Sequence, residues 1–294
     1  MPVLLVPLGL LLLLAGHNQA GAVEADFDVF LLDAGLYGVY LQDEWQIFPA
    51  LTLNSGLRFD GVNEYTDETQ LSPRINLVLK ATDETTVHAG YSRYFVPPPF
   101  ELVTPTAIAL FNNTTAAPAV QQDAVVKAER SHYFDVGVNQ ILTPGLTVGL
   151  DSYYKLARNL IDEGQFGAPI ILTAFNYAKA YVAGAVFTIS YDRGPWSIYG
   201  NAAYSRAMGN DIISAQFNFA PDELAYIAQH YIHLDHDQTW TGSGGIAYTF
   251  NKNTKYQTRA SHRAEWFTCQ HTNRAERCFP ARICGFQRKH RPKA

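Results

Sequence analysis

From residue 146 to 157 the chain reads LTVGLDSYYKLA, and its apolar side chains recur at every second position: Leu146, Val148, Leu150 and Tyr154. Thr147, Gly149, Asp151 and Lys155 take the alternate places. A two-residue repeat marks a β-strand with one apolar and one polar face. The same alternation runs through YGVYLQDEWQI (37–47), LTLNSGLRFD (51–60), SPRINLVLK (72–80) and TTVHAGYSRYF (85–95). It returns in SHYFDVGVNQIL (131–142), AYVAGAVFTISY (180–191), WSIYGNAAYSR (196–206) and DQTWTGSGGIAYTF (237–250). In 51–60, Leu51, Leu53, Leu57 and Phe59 share one face, and Thr52, Asn54, Arg58 and Asp60 the other. Nine strands are predicted, with a tenth over 254–262, and one weakly helical patch, PDELAYIAQH (221–230).

The connections alternate as strictly as the side chains. Short turns at 48–50, 81–84, 143–145 and 192–195 interleave with longer segments at 61–71, 96–130, 158–179 and 207–236. Strands of about ten residues match the nine to eleven that cross a bilayer at a tilt. Tight turns at one end and long loops at the other describe an up-and-down outer-membrane barrel. Trp45 and Phe48 flank the first short turn, Trp196 follows the fourth, and Tyr91, Tyr94 and Phe95 sit beside a long loop. Aromatic rings prefer the headgroup level, so two belts at strand ends fit the same architecture. The expectation is an all-β, antiparallel, up-and-down transmembrane barrel. The even-numbered face of 146–154 then meets lipid, and Asp151 and Lys155 meet a wet lumen. A Lys at the midplane of a barrel exterior would cost about 2–4 kcal/mol.

Composition supports strands over helices and divides the chain. Charged residues are 17% and aromatics 13%, against about 25% charged in soluble domains. The net charge of −5 hides an acidic body, about −12 over 1–258, and a basic tail, about +7 over 259–294. Cys269, Cys278 and Cys284 all lie in the tail, which excludes a disulfide framework in the body. The apolar run at 3–16 is too short to span a membrane as a helix. It has the length of a secretory signal's apolar region, and Ala20-Gly21-Ala22 offers a small-x-small cleavage site. Three parts are expected: a signal-like segment over 1–22, a barrel portion over 36–258, and a tail over 259–294 that is disordered or translated out of frame.

YGVYLQDEWQIFPALTLNSGLRFD resembles the barrel of TonB-dependent outer-membrane receptors, whose strands carry QDxW and LTLxxGLR patterns. LSPRINLVLKATDETTVHAGYSRYFVPPPFELV is similar to the hairpin that follows, and KAERSHYFDVGVNQIL to a PExSxxxExG strand, with Lys127-Ala128 where Pro is usual. NLIDEGQF, FNYAKAYVAG and LDHDQTWTGSGGIAYTF resemble later stretches, so the likeness covers about residues 36–250. The resemblance implies a portion, nine to ten strands, of a barrel of about 22 strands closed by a plug. It implies uptake of a scarce nutrient such as a siderophore in the outer membrane of a Gram-negative bacterium. Its partners would be outer-membrane lipid, a small-molecule nutrient and, for the full-length parent, the TonB system. No plug-length segment or TonB box is seen before the first strand, and the strand pattern stops after Phe250, so a fragment that is not transport-competent alone is expected. The alternative is a complete small outer-membrane barrel acting as pore or adhesin. A soluble β-sandwich ranks last.

Chemistry-bearing clusters are few. His230, His233 and His236 stand three apart with Asp235 and Asp237 among them, but that spacing on a strand alternates faces and does not gather a metal site. Cys269, His271, Cys278, Cys284 and His290 match no compact zinc spacing. Asn112 and Asn113 begin N-x-T sequons, which act only in a eukaryotic secretory route. Asp162-Glu163 and Asp222-Glu223 are read as solvated loop acids, and the basic tail lacks the period of a nucleic-acid-binding module. No nucleophile elbow, phosphate loop or His-Glu-x-x-His occurs. The expectation is therefore no enzyme, no cofactor, no metal and no nucleic-acid partner. Ligand capture falls to segments 96–130, 158–179 and 207–236, with no individual residue singled out.

Overall fold

The computed structural model describes residues 35–249, except 64–65, 100–107, 110, 115–116, 121–123, 167–170 and 236. It gives backbone alone for 30–31, 165–166, 171–172, 259–265, 268–272 and 275–279. The signal-like segment 1–22 lies outside the described residues. One antiparallel sheet contains every strand. β1 (Phe30–Leu31) pairs with β2 (Leu36–Phe48), followed by β3 (Leu51–Asn63), β4 (Asp67–Lys80), β5 (Thr85–Val96), β6 (Glu129–Thr143), β7 (Leu146–Phe166), β8 (Ile171–Arg193) and β9 (Trp196–Ile212). Each strand through β9 pairs with its neighbour in the chain. A helix at Pro221–Gln229 and a two-residue β10 (Ile232–His233) then lead to β11 (Gln238–Thr249), which pairs with β9. The other edge of β11 carries β12 (Arg259–Glu265) and β13 (Thr268–Thr272), and β14 (Ala275–Phe279) pairs with β13. β12 overlaps the tenth strand expected over 254–262. Among the described residues no ladder joins the two ends of the sheet, so this is an unclosed up-and-down wall.

The short turns fall where the sequence puts them. Two connections differ. Segment 61–71 is mostly strand, because β3 runs to Asn63 and β4 begins at Asp67. Residues 158–166 and 171–179 continue the β7–β8 ladder, whose register holds from Leu146↔Tyr191 to Phe166↔Ile171. Beyond Arg158 that hairpin leaves the wall and both its faces acquire neighbours. The two-residue alternation fades there because neither face is uniformly apolar or polar.

Register gives the wall two faces of opposite chemistry. One ladder reads Trp45, Leu53, Leu77, Ala89, Val136, Ser152, Ala185, Tyr204 and Trp240 across β2 to β11. The adjacent ladder reads Glu44, Asn54, Asn76, Gly90, Asp135, Tyr153, Gly184 and Ser205. Residues opposite each other in a ladder share a face, and successive residues alternate. The first face is apolar and uncovered among the described residues: Trp45 is 57% exposed, Val136 53% and Leu150 49%. Soluble monomers rarely leave a continuous apolar surface of this extent bare. The second face holds Asp135, Asp151 and Lys155. Lys155 Nζ lies 2.6 Å from Glu129 Oε1, and Asp151 Oδ1 lies 3.2 Å from His88 Nε2.

Glycines on the polar face make room for these side chains. A Cβ at Gly137 would overlap Asp151 Oδ1 and the His88 ring, and one at Gly90 would overlap the Asp135 carboxylate. Gly137→Val is expected to lower stability by about 1–3 kcal/mol through overpacking. A falling urea midpoint for the detergent-folded chain checks this, with Ser152→Ala on the other face as a near-silent control.

Candidate functional site

On the side of the long connections the wall carries a packed module. The extended β7–β8 hairpin, the end of β9, a 3-10 turn at Gln216–Asn218 and the helix Pro221–Gln229 build it. Its core is Leu160, Phe175, Tyr177, Ile212, Phe217 and Ile227, each 3–6% exposed, with Ile108 and Ala215 beside them. Pro221 starts the helix without needing an N–H partner, and Glu223 Oε2 accepts the Ala220 N–H at 2.9 Å. Phe175 meets both Tyr177 and Phe219 edge to face, with ring centres 5.1 and 5.0 Å apart, a favoured quadrupole arrangement.

A buried polar knot ties the module together. Asn176 is fully buried. Its Nδ2 donates to the carbonyls of Lys127 at 3.0 Å and Asn159 at 2.8 Å. Its Oδ1 accepts from the Lys127 N–H at 2.7 Å and the Ser214 hydroxyl at 2.9 Å. Its N–H donates to Ser214 Oγ at 2.8 Å. One side chain thus joins the approach to β6, the left-handed Asn159 in β7 (φ 53°) and the segment after β9. Nearby, Glu68 accepts from the Ala128 N–H at 2.8 Å and from Arg130 Nη2 at 2.9 Å, fixing the start of β6 to β4.

The module forms an open cavity of about 810 Å³, within the range that holds small organic ligands. Phe175, Tyr177, Phe219 and Tyr226 supply aromatic surface to it, and Glu163, Asp222, Glu223 and Asp235 supply carboxylates. The first two rings are buried, whereas the four acids are exposed and sit at the rim. Burial pushes the Tyr177 phenol up, with Asp162 and Asp235 adding to the shift, so this hydroxyl stays neutral across the physiological range.

A second polar cluster lies on the inner face of the wall. His88 Nε2 sits 3.2 Å from Asp151 Oδ1 and 3.7 Å from Asp135 Oδ2. Tyr94, Tyr133 and Tyr153 form a row beside it, at centroid spacings of 6.0 and 6.1 Å, and the Tyr153 hydroxyl donates to Ser205 Oγ at 3.1 Å.

The cavity lining comes wholly from segments 158–179 and 207–236, two of the three loops marked in the sequence. Segment 96–130 contributes Ile108 to the core and Lys127 to the Asn176 knot. Asp162-Glu163 and Asp222-Glu223 are not loop acids: the first pair lies in β7 and the second in the first helical turn. His230 stacks on Tyr226 at 4.3 Å, while His233 Nδ1 meets the buried Asp237 Oδ2 at 2.6 Å, so these two histidines serve different contacts. His236 and His290 lie outside the described residues, as do the side chains of His271, Cys269, Cys278 and Cys284. Among the described residues no group of three or more His, Cys, Asp or Glu could hold a metal ion. In the sequence Phe175 and Tyr177 stand out only within FNYAKAYVAG, a stretch resembling the family inside an expected long connection, and Phe219 and Tyr226 carry no signal as a pair.

A family model described as TonB dependent receptor-like, beta-barrel, matches residues 19–268. Three solved structures illustrate the likeness. The FrpB iron transporter from Neisseria meningitidis superposes with a TM-score of 0.55 at 15% identity, covering 80% of this chain and 33% of that one. The copper transporter OprC gives 0.54 at 17%, covering 84% and 37%. The siderophore receptor PirA from Pseudomonas aeruginosa gives 0.52 at 17%, covering 78% and 37%. The chain therefore spans about a third of the length of these structures. Among curated proteins none matches in sequence.

Asn176→Ala should cost about 2–4 kcal/mol, because two carbonyls and the Lys127 N–H lose the fully buried side chain they share. Equilibrium urea unfolding and faster proteolysis near Lys127 would register the loss. Asn139→Ala, at an exposed position of β6, should change stability by no more than about 0.5 kcal/mol.

Proposed function

The chain belongs to the TonB-dependent receptor β-barrel family, and we propose that it forms part of the wall and ligand mouth of an outer-membrane receptor that takes up a scarce nutrient. The observation that carries this reading is the pair of neighbouring ladders, one apolar from Trp45 to Trp240 and one polar from Glu44 to Ser205. Only a wall with hydrocarbon on one side and water on the other suits both. Lipid is the partner of the first face. The second lines the lumen, with His88, Asp135 and the tyrosine row along the passage. The module over the long connections captures the nutrient before it enters.

An open strand edge does not survive in hydrocarbon, where each unpaired backbone group costs several kcal/mol. Among the described residues β1 covers only two positions of the β2 edge, so in a bilayer that edge has to be covered, by further strands of a larger barrel or by the edge of a second copy of the sheet. On this reading the chain is a portion of a larger receptor, not transport-competent by itself, and energy from a TonB system reaches only the complete assembly. A small, complete pore or adhesin would need a ladder between β2 and the far edge, and among the described residues none forms. No catalytic step is assigned to the chain.

Three measurements test the proposal. The chain should fractionate with the outer membrane. In vesicles brominated along the acyl chains, a Trp266→Phe form should lose most of its emission, because the three remaining tryptophans, Trp45, Trp196 and Trp240, are 45–57% exposed on the apolar face. Leu150→Lys should hinder insertion by about 2–4 kcal/mol, while Asp151→Asn should leave it intact. Unquenched tryptophans in a folded, vesicle-bound chain would refute the orientation.

A further inference from the structure

The cavity over the wall combines two chemistries that one class of ligand satisfies. Its depth is aromatic: Phe175 and Tyr177 are each 3% exposed, and Phe219 closes edge-on against Phe175. Its rim is acidic, and the carboxylates come from separate elements: Glu163 from β7, Asp222 and Glu223 from the helix, and Asp235 from the segment after β10. Among the described residues that line it, none is Lys, Arg or His. Asn218 also lines the cavity; its amide donates to the Ala215 carbonyl at 3.1 Å, and its buried Oδ1 has no hydrogen-bond partner. The lining thus offers acceptors and ring surface, with negative charge at the entrance.

A structural reason exists for part of that charge. Asp222 and Glu223 occupy the first turn of the helix, where carboxylates complement the helix dipole, and Glu223 also caps Ala220. That reason does not extend to Glu163, which reaches the same cavity from β7. A helix N-terminus contributes about half a positive charge, far short of offsetting the rim. An anionic guest would enter against this field, while a cation would be drawn in and then find rings to lie against.

We propose that this cavity binds an organic cation with a flat aromatic or apolar body, and that the nutrient of this receptor is of that class and not an anionic metal chelate. The positive centre rests beside Glu163 and Asp222, and the body stacks towards Phe175, Tyr177 and Phe219. The identification of the guest as the transported nutrient rests on the receptor reading above; the recognition chemistry of the cavity does not.

Berberine, a planar aromatic quaternary ammonium whose fluorescence rises in apolar sites, is the probe. The full chain in dodecyl maltoside should bind it saturably. Glu163→Gln with Asp222→Asn should weaken binding about tenfold, and 0.5 M salt should weaken it as well. Phe219→Ala should weaken it by a similar factor without altering the salt response. The anionic dye 8-anilinonaphthalene-1-sulfonate should show no saturable binding that Phe219→Ala removes. Circular dichroism and the urea midpoint confirm that the exposed-acid variants remain folded. Absence of saturable berberine binding, indifference to the double neutralisation, or displacement of berberine by the anionic dye would each overturn the assignment. A chain that binds berberine as expected but fails to fractionate with the outer membrane would overturn the receptor reading and leave the cation site standing. The reverse pattern would do the opposite.

Discussion

The two-residue repeat of an antiparallel ladder fixes every other feature of this wall. In a sheet with one apolar and one polar face, a slip of one residue turns the whole strand over. Here a slip of β7 against β6 would exchange Leu150 and Tyr154 for Asp151 and Lys155 on the apolar side. It would also break the contacts of Lys155 with Glu129 and of Asp151 with His88. The penalties act together, so register is specified from both sides of the sheet at once. The stabilisation does not come from a dry core between layers. Ladder hydrogen bonds within the sheet and paired charges on its polar face share it.

Above the wall the physics changes. The hairpin beyond Arg158 has protein on both sides, and burial there reaches values typical of a soluble domain: Phe175 and Tyr177 are 3% exposed and Asn176 is fully buried. Polar groups in such a setting must be matched, and the Asn176 side chain makes four hydrogen bonds to do so. The wall orders itself by the opposite chemistry of its two faces. The module orders itself by packing and by the hydrogen bonds that converge on Asn176, so its sequence need not alternate.

That difference explains what could be read from the sequence. Alternation in 37–60, 72–95, 131–157 and 180–206 gave strands, faces and short turns, because environment there depends only on position parity. The motifs of the same stretches pointed to the family. Segments 61–71 and 158–179 were misread as loops, since a strand with mixed surroundings has no period to detect. The candidate site was legible only as a region. Glu163 and Phe175 line one cavity from two strands, and Asp222 and Asp235 join them from a helix and a turn; such convergence depends on tertiary packing that linear spacing does not encode.

Phe175-Asn176-Tyr177 shows how the repeat that governs the wall also builds the site. Along a strand, positions 175 and 177 share a face and 176 takes the other. The rings of Phe175 and Tyr177 consequently border the cavity, while Asn176 turns the opposite way into the knot with Lys127, Asn159 and Ser214. The floor of the cavity and its anchor are adjacent residues of one strand. Rings held in this way need little reordering when a guest arrives, and preorganisation of that kind lowers the entropic cost of binding. The same knot holds the segment entering β6, where Glu129 reaches Lys155 on the polar face of the wall. The cavity and the polar face of the wall are thus tied through one short stretch of chain, Lys127 to Glu129.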